Sequence, residues 1–157
     1  RVRRVRLAYR EVPPDRQAEV DRILSEGPQP RWLKDQPGRI DPQWFHAAST
    51  RSIEHCRRRV PDFQYEIQAM RIGPVALVGL PGEPFVEGQL AIKLGSPAQT
   101  TFVAHCCSHY VGYLPTREAY GRGGHEANAQ CTYWAKLAPG SLETVVDNSI
   151  ALLKELF

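Results

Sequence analysis

Apolar and polar residues alternate through Phe63, Tyr65, Ile67 and Ala69, with Gln64, Glu66 and Gln68 between them. That is the period of a strand with one face buried. The same alternation, weaker, joins Val5, Leu7 and Tyr9 to Arg4, Arg6 and Arg10. Val75 to Leu80 is instead a continuous apolar run, the pattern of a strand buried on both faces. Ile72-Gly73-Pro74 predicts a turn that closes a hairpin between the second strand and this central one. A further strand is predicted over Thr100 to Cys107.

Helical spacing fills the intervals. One helix is expected from an Asp15 N-cap to about Glu26, with Ala18, Val20, Ile23 and Leu24 as its apolar stripe and Gly27-Pro28 as its stop. Residues 28–40 read as a loop with Trp32 and Leu33 pinned to the core. Asp41-Pro42 is an N-cap followed by proline at the first helical position. That helix is expected to reach about Val60, with Trp44, Phe45, Ala48, Ser52, Ile53 and Cys56 on one side. Further helices are expected over about Phe85 to Leu94, from Pro115-Thr116-Arg117-Glu118, and from Ser141 to Leu156. Leu142, Val145, Val146, Ile150, Leu153 and Leu156 give the last one its period, and Gly140 or Ser141 its cap. The sum is an α/β fold: a mixed sheet with a buried central strand at about residues 74–80, flanked by helices, in one domain or as the C-terminal portion of a larger one.

Composition narrows the function classes. The 157 residues are 42% hydrophobic and 24% charged, with a formal net charge of +3. This is an ordinary globular balance that gives no argument for nucleic acid. The basic run Arg1-Val-Arg-Arg-Val-Arg6 reads as a solvated strand face. No apolar run approaches the roughly 20 residues of a membrane span, and no signal peptide is seen. The first residue already reads as mid-strand, so the chain is expected to be a piece of a longer protein or a processed one.

Cys56, Cys106, Cys107 and Cys131 form no CxxC pair. They are expected to be small buried hydrophobes, with no zinc knuckle and no disulfide framework. His46 and His55 lack acidic partners at ligand spacing and read as surface or packing residues.

Candidate chemistry gathers after the central strand. Pro81-Gly82 breaks it, and Glu83 follows at the carboxyl end, where open α/β sheets bind ligands. Glu83 is either a functional group or a carboxylate favoured by the dipole of the next helix. Glu83, His105, His109, Tyr110, Tyr113, Tyr120, His125 and Glu126 could make a metal or acid–base site. No HExxH, GxSxG or paired-carboxylate signature accompanies them, and Gly121-Arg-Gly-Gly-His-Glu126 lacks the setting of a phosphate loop. The residues alone give an α/β domain with a polar site near Glu83 and Tyr113.

Ile72-Gly-x-Val-Ala-Leu-Val-Gly-Leu-Pro-Gly-Glu83, then Tyr110-x-Gly-Tyr113-Leu-x-Thr116-x-Glu118-x-Tyr120 and Glu126, resemble the neutral/alkaline non-lysosomal ceramidase family, closest to bacterial ceramidase-like hydrolases. The resemblance spans roughly residues 65–157. It implies a zinc-dependent amidohydrolase that cleaves an N-acyl bond of a lipid-like substrate. It implies Glu83 and Tyr113 as metal ligands, with two histidine ligands from an upstream part of the same catalytic domain. It implies catalytic roles for Tyr113 and for His125, which stands where the family has a tyrosine that stabilises the oxyanion. Tyr110 and Tyr120 fall to substrate binding. A small-molecule or lipid substrate is the expected partner, nucleic acid is not, and this fragment alone is expected to be inactive. A non-catalytic lipid- or glycan-binding domain on the same fold is the alternative, and an unrelated small-molecule-binding α/β domain is a third reading.

Overall fold

The computed structural model describes residues 1–130 and 132–157. In chain order its elements are β1 (Val2–Ala8), α1 (Pro14–Glu26), α2 (Pro42–Arg59), β2 (Asp62–Ile72), β3 (Val75–Gly79), β4 (Glu83–Pro84), α3 (Val86–Gly95), β5 (Thr100–Ala104), β6 (Tyr113–Leu114), α4 (Arg117–Arg122) and α5 (Ser141–Lys154). The main sheet runs β1-β2-β3-β5. β1, β2 and β3 are antiparallel neighbours, and β2 and β3 form the expected hairpin, with Ile72 opposite Val75. α3 then carries the chain over to β5, which lies parallel to β3. The architecture is therefore α/β with a mixed sheet, as the periodicities predict.

One face of that sheet is the core. Tyr65, Ile67 and Ala69 of β2 and Ala76 and Val78 of β3 are buried against Ile92 of α3 and Leu142, Val145, Leu152 and Leu153 of α5. Each large apolar side chain buried there contributes roughly 1.5–3 kcal/mol. The Tyr65 hydroxyl, fully buried, donates to Pro81 O at 2.7 Å, which ties β2 to the turn that carries Glu83. The other face differs from expectation. Val75 and Leu77 are only half-buried, and Met70, Ile72 and Phe102 beside them are exposed. β3 is central in the sheet but is covered on one side only.

α1 and α2 pack on each other around Val20, Ile23 and Ala47. Asp41 caps α2 as expected, accepting from the amides of Gln43 and Trp44. Several local expectations are corrected. Asp15 is not the cap of α1: with Pro14 inside the helix the cap is Pro13, and Asp15 sits in the first turn. Ala18 is exposed, and Arg16 takes a buried place on α1 by donating to Gln130 O and Glu19. Trp32 is 56% exposed, because its loop closes on itself through a Trp32–Ile40 bridge rather than on the core. On α2 the buried positions are Ala47, Ser49, Thr50, Ile53 and Glu54, while Ser52 and Cys56 face solvent. β5 ends at Ala104, so Cys106 and Cys107 lie in the loop beyond it. Cys106 is exposed and Cys107 half-buried, against the expectation of buried thiols; Cys131 lies outside the described residues. Among the described residues no helix is long and apolar enough to cross a membrane.

Candidate functional site

β3 and β5 run parallel, so their carboxyl ends open on the same side of the sheet. The turn after β3 and the loop after β5 meet there and are joined by peptide groups. The Cys106 amide donates to Gly82 O (2.8 Å), the Cys107 amide to Leu80 O (3.0 Å) and the Gly82 amide to His109 O (3.1 Å). The chain then forms the small parallel pair β4–β6, in which Glu83 stands opposite Tyr113. The Glu83 amide donates to Gly112 O (2.9 Å), and the Tyr113 amide to Trp134 O (2.8 Å).

Two glycines make this close approach possible. Gly82 has φ +68°, and a Cβ on it would lie 2.4 Å from Gly112 O. Gly112 has φ +87°, and its Cβ would lie 2.4 Å from Trp134 O. Both conformations and both contacts exclude a side chain. Glu83 is thus placed three residues ahead of α3, in β4, and is not part of that helix's first turn.

The side chains stand on this frame. The Tyr110 hydroxyl donates to Glu83 Oε1 at 2.7 Å. That bond first, then desolvation and the Glu83 charge, pushes the Tyr110 phenol up to about 12. Tyr113 is half-buried beside them and within electrostatic reach of Tyr110. The structure therefore brings together Glu83, Tyr110 and Tyr113.

The other candidates make different contacts. The Tyr120 hydroxyl donates to Leu137 O at 2.7 Å, and the Arg10 guanidinium covers its ring at 5.0 Å. Burial pushes its phenol up to about 12. His125 is exposed, its ring 5.2 Å from that of Trp134. His105 Nδ1 lies 3.6 Å from Cys106 Sγ, and His109 is exposed in the same loop. His46 packs beside Phe45 and His55 is exposed, as expected of surface or packing residues. Desolvation first, then Arg16 and His125, lowers the His46 imidazole.

Sequence reasoning missed the other wall of the site. The Lys136 ammonium lies 4.8 Å from the centre of the Tyr133 ring and 5.7 Å from that of Tyr110. Tyr133 and Trp134 contact each other and Phe45. A signal existed: Ala135 and Leu137 are apolar and buried while Trp134 and Lys136 alternate with them, a two-residue period in an extended segment.

Glu83 and Tyr113 are a carboxylate and a phenol, both oxygen donors that zinc accepts. Among the described residues no group of three or more His, Cys, Asp or Glu side chains is arranged to hold a metal ion.

The sheet and this site define an α/β protein with a carboxylate and two phenols at the carboxyl ends of parallel strands. No family model matches the chain, and no curated protein matches it. Among solved structures it is similar to the neutral ceramidase from Pseudomonas aeruginosa, at 18% identity and a TM-score of 0.49, over 99% of this chain and 28% of that one. The chain spans less than a third of the length of that protein.

Proposed function

We propose that the chain is the C-terminal part of a zinc-dependent, ceramidase-like amidohydrolase that cleaves the N-acyl bond of a lipid-like substrate. The observation that carries the reading is the pairing of Glu83 with Tyr113 across β4 and β6, with the Tyr110 hydroxyl on Glu83 Oε1. Those residues come from the two motifs on which the family resemblance rests. In this reading Glu83 and Tyr113 would hold the metal together with two histidines from an upstream part of the domain. Bound zinc would lower the pKa of a water towards about 7 and polarise the acyl carbonyl.

The chain's own groups have separate tasks. Tyr110 fixes the orientation of Glu83 by donating to one carboxylate oxygen, and Glu83 would act as a ligand to the metal. His125 donates a hydrogen bond to the oxyanion that develops on the acyl carbonyl. Tyr110 contributes to the substrate-binding wall, and Tyr120 supports it from behind by holding Leu137 O. A non-catalytic lipid- or glycan-binding domain is the second reading, favoured by the half-exposed rings of Phe45, Tyr133 and Trp134.

The test is made in the full-length protein that contains this chain, by elemental analysis after dialysis and by hydrolysis of a fluorogenic N-dodecanoyl amide. Glu83→Gln and Tyr113→Phe are each expected to lower zinc occupancy and turnover by about tenfold or more. Unchanged zinc and unchanged hydrolysis in Glu83→Gln would falsify the assignment.

A further inference from the structure

α3 and α5 pack against each other over the buried face of the main sheet. Two glycines set how close they come. A Cβ on Gly88 would lie 2.7 Å from Leu142 Cδ1, and one on Gly95 would lie 2.6 Å from Ile150 Cδ1. Gly88 thus meets the start of α5 and Gly95 a later turn of it, so the two helices run in the same direction and begin at the same end. Between them lies a groove of about 250 Å³ whose floor is Gly88, Ala91, Leu142 and Val146.

Three exposed carboxylates line the same groove: Glu87 from α3, and Glu143 and Asp147 from α5. Glu87 and Glu143 stand in the first turns of their helices, where the dipole favours a carboxylate, and Glu143 also accepts from the Arg117 amide at 2.8 Å. Asp147 has neither support. It lies one turn beyond Glu143, a spacing at which like charges repel. Among the described residues no ion pair holds any of the three.

The apolar surface continues along α3. Val86, Leu90 and Leu94 follow one another at four-residue spacing, and Leu90 and Leu94 come three residues after Glu87 and Ala91, which puts them beside the groove. Leu90 is 50% exposed and Leu94 88%. The surface is therefore acidic where the two helices begin and apolar towards the far end of α3.

We propose that this surface docks a cationic amphipathic helix of a partner protein, with the partner's apolar stripe along Leu90, Leu94 and the groove and its lysines or arginines on Glu87, Glu143 and Asp147. An apolar strip two turns long beside a groove between helices suits another helix, read through anchors at i, i+3, i+4 and i+7. The carboxylates set the sign of the partner, because they repel an acidic segment and an anionic lipid surface alike. None of these residues belongs to the Glu83, Tyr110 and Tyr113 group, so the docking is independent of the proposed hydrolysis.

The test is equilibrium binding to the full-length protein that contains this chain, by calorimetry, with three synthetic peptides. The first is a Leu/Lys helix with leucines at i, i+3, i+4 and i+7. The second has glutamate in place of every lysine, and the third scrambles the first so that no apolar stripe forms. The Leu/Lys helix is expected to bind about tenfold tighter or more than either control. The double variant Leu90→Gln with Leu94→Gln, and separately Asp147→Lys, should each weaken it about tenfold, and Asp147→Lys should also flatten its salt dependence. All three substitutions fall on exposed residues, and circular dichroism checks that each variant is folded. Met70→Gln with Phe102→Gln, on the uncovered face of the sheet, should leave binding unchanged. No binding of the Leu/Lys helix, equal binding of the scrambled peptide, or a loss seen only in the Met70 and Phe102 variant overturns the proposal. A dimer that dissociates in the Leu90 and Leu94 variant also overturns it, by making the occupant a second copy. Binding of phosphatidylglycerol vesicles that is lost in that variant does the same, by making the occupant a membrane.

Discussion

The Tyr110 hydroxyl donates to Glu83 Oε1 at 2.7 Å across 27 residues of chain, and no part of either motif would make that contact without the other. The bond spans the turn after β3 and the loop after β5, so it reports on whether both are in place.

Ionisation of Tyr110 is the direct readout. Its pKa is raised from 10.0 to about 12, with the Glu83 bond as the first cause. The sign follows: the contribution of this bond to stability is complete below the unfolded pKa and is lost as pH rises through about 12. NMR titration of ring-labelled tyrosine should find one exposed phenol titrating near that value. In Glu83→Gln that resonance should move back towards 10.0. A Tyr110 resonance indifferent to Glu83→Gln would show that the contact is not formed in solution.

Tyr65 tests the support beneath. Tyr65→Phe keeps the buried ring but removes the donor to Pro81 O. A buried acceptor left without its partner costs about 1–3 kcal/mol. Urea denaturation should show a loss of that size, and a loss under about 0.5 kcal/mol would mean that water replaces the hydroxyl.

Gly82→Ala places a methyl 2.4 Å from a backbone oxygen at a φ of +68°. The strain alone costs about 1–3 kcal/mol, and the clash with Gly112 O adds to it. Gly121 in α4 is the control, with φ outside the left-handed region and nothing near its Cβ. Gly121→Ala should be neutral or stabilising by up to about 1 kcal/mol. Equal melting temperatures for the two variants would sink the argument.

Asp41 gives an acid-side prediction. Desolvation alone would raise its carboxyl, but the amides of Trp44 and Gln43, with Arg31, outweigh it and hold the pKa below 3.8. A depressed carboxyl contributes stability above its unfolded pKa and loses it as pH falls through the folded one. Asp41→Asn keeps a side-chain acceptor for the cap and removes the titration. Thermal melts of the variant should therefore vary less with pH below about 4 than those of the parent chain. Parallel acid limbs would place the dependence elsewhere.

Long periodic signals were legible. The alternation around Tyr65 gave β2, the apolar run gave β3, and Asp41-Pro42 located the start of α2. In the site, Pro81-Gly82-Glu83 was legible as a break with a carboxylate beyond it. The strands β4 and β6 were not, because two residues carry no period and their pairing depends on Gly82 and Gly112. Asp15 was misplaced because Pro13 and Pro14 compete for the same boundary. Trp32, Cys56, Cys106 and Cys107 failed for a different reason: residue type predicts burial only on average, while neighbours decide it. Lys136 lies in a two-residue alternation with Ala135 and Leu137 that marks an extended segment but not a site, and its contact with Tyr110 joins separate parts of the chain.

The floor of the site is made of peptide groups: Cys106 N–H on Gly82 O, Gly82 N–H on His109 O, Glu83 N–H on Gly112 O, Tyr113 N–H on Trp134 O. None of those bonds uses a side chain. The rim side chains of His105 and His109 can therefore be exchanged without rebuilding what lies under them, whereas the glycines at 82 and 112, which carry no chemistry, cannot. Retargeting such a site to another ligand is a problem of decorating a fixed platform, and drift in its sequence should accumulate at the rim while the platform stays the same.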